Sequence, residues 1–138
     1  MIPVVTSPDV GIPSEASRLD TAECPGQRLL AALIAVESGG NDRAVNPSGA
    51  MGPLQIRPIV LRDVQRITGQ RFTASDTLDR GTACRIAVIY LSHYVTERRL
   101  GRRPTARDYT LVWRHGPAGW AKDGPSDYWN RVGNLISP

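Results

Sequence analysis

The chain has 138 residues, 41% hydrophobic and 22% charged, with 17 Lys and Arg against 13 Asp and Glu. That length makes one domain with a real core but few layers; the formal net charge of +4 favours polyanionic partners without choosing between nucleic acid and a cell-wall polymer. No stretch is long and apolar enough to span a bilayer, and the two histidines, His93 and His115, and two cysteines, Cys24 and Cys84, show no paired metal-ligand spacing.

Residues 1–20, rich in Pro, Ser and Val without helical period, read as an extended N-terminal arm or linker, and residues 21–138 as the domain. Thr21 can cap a first helix that starts near Cys24 or Pro25 and ends at about Ser38. Leu29, Leu30, Leu33 and Val36 recur at helical spacing, Ala31, Ala32 and Ala35 are strong helix formers, and Gly39 and Gly40 stop the run. A small, polar segment follows from Asn41 to Gln55, where glycines let backbone approach a ligand closely.

Pro58 suits the first turn of a second helix, with an apolar stripe of Ile59, Val60, Val64 and Ile67 ended by Gly69, placed to support that loop from behind. After a short connection at Phe72 to Ser75, a helix from near Asp76 carries Ile86, Ile89, Tyr90 and His93 on one face and ends by Gly101. The basic run Arg98 to Arg103 reads as a solvated helix end and loop, since no aromatic residues interleave with it to stack bases.

Thr105 with Asp108 forms a capping-box pattern for a helix running to about Trp113. Gly119, Trp120, Gly124 and Pro125 make a second loop, and Ser126 can cap a last short helix through Tyr128, Trp129 and Val132, with Asp127, Tyr128 and Trp129 on a far wall. No alternating segment of strand length appears, so the fold class expected is mostly α with at most a small β-hairpin.

One carboxylate stands out. Glu37 falls in the last turn of the first helix, where unpaired carbonyls disfavour an ionised carboxylate by roughly 0.3 to 1 kcal/mol. That is too little to make a working acid, whereas desolvation beside a cleft can raise a carboxyl's pKa by several units. Glu37 is therefore either a general acid on the floor of a groove or an ordinary residue closing a helix.

The motifs Glu37-Ser38-Gly39-Gly40-Asn41 and Gly49-Ala50-Met51-Gly52-Pro53-Leu54-Gln55-Ile56 resemble the Glu-Ser and Gly-Leu-x-Gln signatures of the lytic transglycosylases, which share a fold with goose-type lysozymes. The resemblance implies a lysozyme-like helical domain in which Glu37 serves as acid and then base on the bond from muramic acid to glucosamine in peptidoglycan. Ser38 and Gln55 match positions that orient the acid and the sugar; Met51, in the second motif, and Tyr90, on the family's long core helix, join them as substrate-site candidates.

Trp113-Arg114-His115-Gly116-Pro117 stands where the family commonly has Ala-Tyr-Asn-x-Gly-Pro, so Trp113 and Arg114 depart from the pattern while Gly116 and Pro117 agree. Trp113 either stacks on a sugar ring, adding one N–H donor but no phenol, or is a core aromatic.

Glycoside cleavage usually shares its work between two carboxylates. If Asp42, Asp123 or Asp127 faces Glu37, a muramidase-type hydrolase is the better reading; if none does, attack by the sugar's own 6-hydroxyl makes a lytic transglycosylase. The transglycosylase is slightly favoured, and a non-catalytic peptidoglycan-binding module is the rival from another class. Peptidoglycan strands are the expected partner of a monomer, with no nucleic acid, cofactor or metal. An exported location, periplasmic or extracellular, follows from the resemblance, although the N-terminus lacks a signal's basic start and apolar run, so the signal has been removed or export uses another route. In that setting Cys24 and Cys84 either pair or stay as buried free thiols.

Overall fold

The computed structural model describes residues 25–136. The expected mostly α architecture is present, with six α-helices among the described residues: α1 (Gln27–Ser38), α2 (Pro58–Thr68), α3 (Arg80–Tyr94), α4 (Glu97–Leu100), α5 (Ala106–His115) and α6 (Asp127–Ile136). Two short 3-10 turns, Ser75–Leu78 and Gly119–Ala121, join them. The expected hairpin is reduced to two isolated antiparallel bridges, Val45 with Met51 and Met51 with Ile56. The N-terminal arm and Cys24 lie outside the described residues; Cys84 is a half-buried free thiol.

Helix α3 is the central element. Ala83, Ile86, Ala87, Tyr90, Leu91 and Tyr94 are all buried, so it presents apolar surface on more than one side. It packs against α2 and α5, while α6 lies across α1 and α5. Leu54 and Ile56, at 0% and 2% exposure, plug the segment after α1 into this core. Pro58 opens α2 as expected, and Gly69 closes it at φ 77°.

Thr21, expected to cap the first helix, lies outside the described residues; Gly26 holds the N-cap position of α1 in extended conformation at φ −89° and ψ 176°. The helix expected from Asp76 to Gly101 is broken twice. Asp79 is extended and its carboxylate accepts from the Thr82 N–H at 3.0 Å, so α3 starts at Arg80; Thr96 accepts from the Arg99 N–H at 3.1 Å and starts α4 separately. A side chain that bonds backbone three residues on competes with continued helix, which explains both breaks. On α2 the stripe uses Val60 and Val64, while Ile59 is 55% exposed.

The capping box on α5 is complete, with Thr105 Oγ1 and Asp108 serving each other's backbone N–H. It also has a partner from the basic run. Arg102 forks onto Asp108, Nη1 to Oδ2 and Nη2 to Oδ1, each at 2.7 Å. Asp108 is 1% exposed, so Arg102 is part of the fold and not a merely solvated cation. Arg98, Arg99 and Arg103 remain exposed, as expected of that run.

Burial pushes the Asp108 carboxyl upward, but the Arg102 fork and the Thr105 N–H and hydroxyl outweigh it and hold the group below the ordinary aspartate value. Its stabilising contribution is therefore complete above that value and is lost as pH falls through the depressed one. Asp108→Asn is expected to cost about 1–2 kcal/mol near neutral pH, a figure discounted because the Arg102 side chain is half exposed. Thermal melts of the two proteins should begin to converge as pH falls below about 4.

Candidate active site

The site begins where α1 stops. Gly39, left-handed at φ 64°, gives its N–H to Ala35 O and ends the helix one residue beyond Ser38. Ser38 Oγ donates to Ile34 O at 3.1 Å and accepts from the Gly40 N–H at 3.2 Å, tying the helix end to the loop. Arg80, from the start of α3, reaches the same loop, with Nη2 on Gly40 O at 2.7 Å and Nε on Asp42 Oδ1 at 2.8 Å.

Residues 41–56 are held mainly by their own backbone and amides. Asn46 Oδ1 accepts from the Ser48 N–H, the Ser48 hydroxyl and the Ala50 N–H. Gly52 sits at φ 83°, and a Cβ there would lie 1.9 Å from Thr77 O, so only glycine lets the loop touch the turn before α3. Gln55 is the sole non-glycine residue at positive φ, 51°, among the described residues. Its Nε2 donates to Ala44 O and Gly52 O, both at 3.0 Å, so the amide braces the loop. Met51, half-buried, joins the two bridges.

Glu37, in the last turn of α1, is half-buried, and its partner comes from the last helix. Tyr128 Oη donates to Glu37 Oε2 at 2.6 Å, a contact between residues 91 apart in the chain. Ser126 sets it up by capping α6, its Oγ accepting from the Trp129 N–H at 3.0 Å, which puts Tyr128 in the first turn. Arg114 lies over the Tyr128 ring at 5.3 Å. Arg57 stands nearby, anchored by Nη2 on Trp113 O at 3.4 Å.

Burial is the largest influence on Glu37 and raises its pKa above the ordinary 4.5; the Tyr128 hydrogen bond and the fields of Arg114, Arg57 and Arg131 pull it down by less. Tyr128 itself is pushed upward, by burial first and then by the Glu37 charge and hydrogen bond, so it stays a donor. The arrangement can therefore hold a proton on a carboxyl whose second oxygen is already fixed.

The sequence candidates do not all gather at this point. Ser38 adjoins Glu37 in the chain, and Gln55 and Met51 belong to the loop beside it. Tyr90 and Trp113 are in the core at 3% and 5% exposure. They meet edge to face at 5.8 Å, and Trp113 Nε1 donates to Leu54 O at 3.2 Å. This corrects the picture of Trp113 as an open sugar platform, because its ring is covered and its N–H is used; it props up Leu54 of the loop instead. Tyr90, with its hydroxyl pushed up to about 12 by burial first, sits underneath as part of the same support.

The charges acting most on Glu37 are those of the arginines Arg114, Arg57 and Arg131. Asp42 is committed to Arg80. Asp123 and Asp127 line a neighbouring cavity of about 560 Å³ between α5 and the 122–128 segment. The residue missed as a partner of the acid is Tyr128. Its place in a first helical turn was visible from Ser126, but nothing local says that α6 crosses the end of α1.

Comparison with known proteins places this architecture in the lysozyme-like class. One chain of the crystal structure of Aeromonas hydrophila PliI in complex with Meretrix lusoria lysozyme superposes with a TM-score of 0.67 over 84% of this chain and 93% of that one, at 22% identity, a likeness of fold. The Transglycosylase SLT domain model matches residues 21–106, and the chain belongs to that family. The endo-type membrane-bound lytic murein transglycosylase A of Klebsiella pneumoniae, from two strains, is 49% identical over 45 residues, 32% of this chain. The match takes in only 22% of the length of those relatives. Arg114 and Tyr128 lie beyond the segment matched by the family model.

A buried acid of raised pKa lowers stability where it ionises. Folding is favoured with Glu37 protonated, and that advantage is lost as pH rises from 4.5 through the raised value. Glu37→Gln carries no such loss, so its melting temperature should gain on that of the wild type as pH rises above about 4.5, as followed by circular dichroism.

Proposed function

We propose that the chain is a lytic transglycosylase that cuts the β-1,4 bond between MurNAc and GlcNAc in peptidoglycan, with Glu37 as the single acid and base. The observation that carries this reading is the Glu37 carboxyl itself: half-buried, raised in pKa by burial and fixed through Oε2 by Tyr128. Oε1 is then the oxygen that carries the proton.

The steps follow from that geometry. Glu37 gives its proton to the glycosidic oxygen, the bond to the muramic C1 breaks, and positive charge spreads over C1 and the ring oxygen. The resulting carboxylate, stabilised by the Tyr128 hydroxyl and by Arg114, Arg57 and Arg131, takes the proton from the sugar's own 6-hydroxyl. O6 then bonds to C1 and closes a 1,6-anhydro ring. A hydrolase would need a carboxylate to position water across the ring; Asp42, held by Arg80, is turned to another task.

Ser38 and Gln55 contribute by holding the helix end and the loop in shape, and Met51 presents a half-buried edge there. Peptidoglycan places the work outside the cytoplasm, in the periplasm or beyond. Among the described residues no helix is long and apolar enough to cross a membrane.

Digestion of purified peptidoglycan with mass analysis of the fragments tests the reading. Anhydro ends are expected from the wild type; reducing ends would make it a muramidase, and intact strands a binding module. Glu37→Gln should lower the rate by about 10²- to 10⁴-fold while the protein still binds the wall. Tyr128→Phe removes a hydrogen bond to a charged group and should slow turnover roughly 10- to 100-fold. Because that bond lowers the Glu37 pKa, the alkaline limb of the pH profile should move to higher pH in the variant.

A further inference from the structure

Three helix ends meet at the acid. Glu37 is in the last turn of α1, Arg114 in the last turn of α5 and Tyr128 in the first turn of α6, which packs against both other helices. The carbonyls at the end of α5 favour a cation at position 114. Tyr128 touches both of its neighbours: its hydroxyl donates to Glu37 Oε2 at 2.6 Å, and the Arg114 guanidinium lies over its ring, 5.3 Å from the centre. No ion pair joins Arg114 to Glu37 among the described residues.

The three arginines that act on Glu37 therefore reach it differently. Arg57 is fastened on Trp113 O and Arg131 is an exposed residue of α6, and both act on the carboxyl as charges across space. Arg114 has a second route. A cation facing a phenol ring is attracted to its π-electrons, which holds the ring in place, and it draws electron density from the oxygen, which makes the O–H a stronger donor. Its field on Tyr128 has the same sense, since it favours loss of the phenol proton against burial and the Glu37 charge. The other titratable groups of the cavity that Tyr128 and Arg114 line together are Arg107, His115, Lys122, Asp123 and Asp127; they come in both signs, and Arg114 is the cation over the ring.

We propose that Arg114 is a positioning residue for the cleavage step and acts on Glu37 through Tyr128, holding the ring where its hydroxyl reaches Oε2 and strengthening that donation once the carboxyl is charged. The assignment rests on the reading of Glu37 as acid and base. Position 114 lies beyond the segment matched by the family model and carries Arg where the family pattern commonly has Asn, so the coupling is a property of this chain's own departure from that pattern.

The test is a double-mutant cycle read on Glu37 by NMR titration of its carboxyl carbon, a measurement that needs no turnover. Arg114→Met keeps the aliphatic stem and removes the charge, and it should raise the Glu37 midpoint roughly twice as far in the wild-type background as in Tyr128→Phe. The sign follows from the contacts: loss of Arg114 removes a field and weakens a hydrogen bond, both of which favour the charged carboxyl, and without the hydroxyl only the field is left to lose. Arg131→Met, which removes a field alone, should raise the midpoint equally in the two backgrounds. Arg114→Lys keeps a cation for the ring and should titrate close to the wild type. On peptidoglycan, Arg114→Met should lower kcat about 2- to 5-fold with KM little changed. Equal shifts for Arg114→Met in the two backgrounds, no shift in either, or a Lys variant that behaves like the Met one overturns the proposal. Cleavage by the wild type together with equal shifts defeats the positioning role alone; unequal shifts in a protein that leaves peptidoglycan intact support the coupling of Arg114 to Glu37 through Tyr128 and defeat the transglycosylase.

Discussion

The hydrogen bond from Tyr128 to Glu37 is the constraint on which the site depends. It joins the last turn of α1 to the first turn of α6, and those two helices pack against one another. Three influences compete at the carboxyl. Loss of water favours the protonated form, helped by the carbonyls at the end of α1, while the phenol and three arginines favour the charged form. Burial is the largest, so the carboxyl keeps its proton to higher pH than an ordinary glutamate. Once the proton has left, the same phenol and arginines stabilise the anion. In the proposed reaction a lone carboxyl serves as both acid and base, and this environment holds influences of both signs.

The loop beside the acid is rigid for reasons that do not involve a ligand. Gly52 lies against Thr77 O too closely for any side chain, the Gln55 amide spans two carbonyls, and Trp113 donates to Leu54 O from below. Each contact fixes backbone of the loop from the protein side. Half-exposed Arg80 gives little stability through Asp42, since such pairs are worth about 0–1 kcal/mol. Its effect is positional: it holds Gly40 O, and with it the chain that leaves Glu37, against the start of α3.

The excess of basic residues is divided among tasks. Arg102 is spent on a buried carboxylate in the fold, Arg57 and Arg114 set the potential around Glu37, and Arg107 fastens the loop that faces α5. Net charge therefore describes this protein poorly; position decides whether a cation stabilises a helix, an anion in the site or a loop.

Most of the helices and their stop signals were legible in the chain because their causes are local. The spacing of Leu29, Leu30, Leu33 and Val36, the glycines after Ser38, Pro58 before an apolar stripe, and Thr105 with Asp108 each act within a turn or two. The motif around Glu37 was likewise readable as a family pattern. What only the tertiary structure decided was which residues meet. Tyr128 reaches Glu37 across 91 residues, Trp113 turns inward to Leu54, and Asp42 turns to Arg80. Those outcomes depend on how α6 crosses α1 and how the loop settles on the core, and burial, the quantity that sets the state of the acid, exists only after that packing has happened.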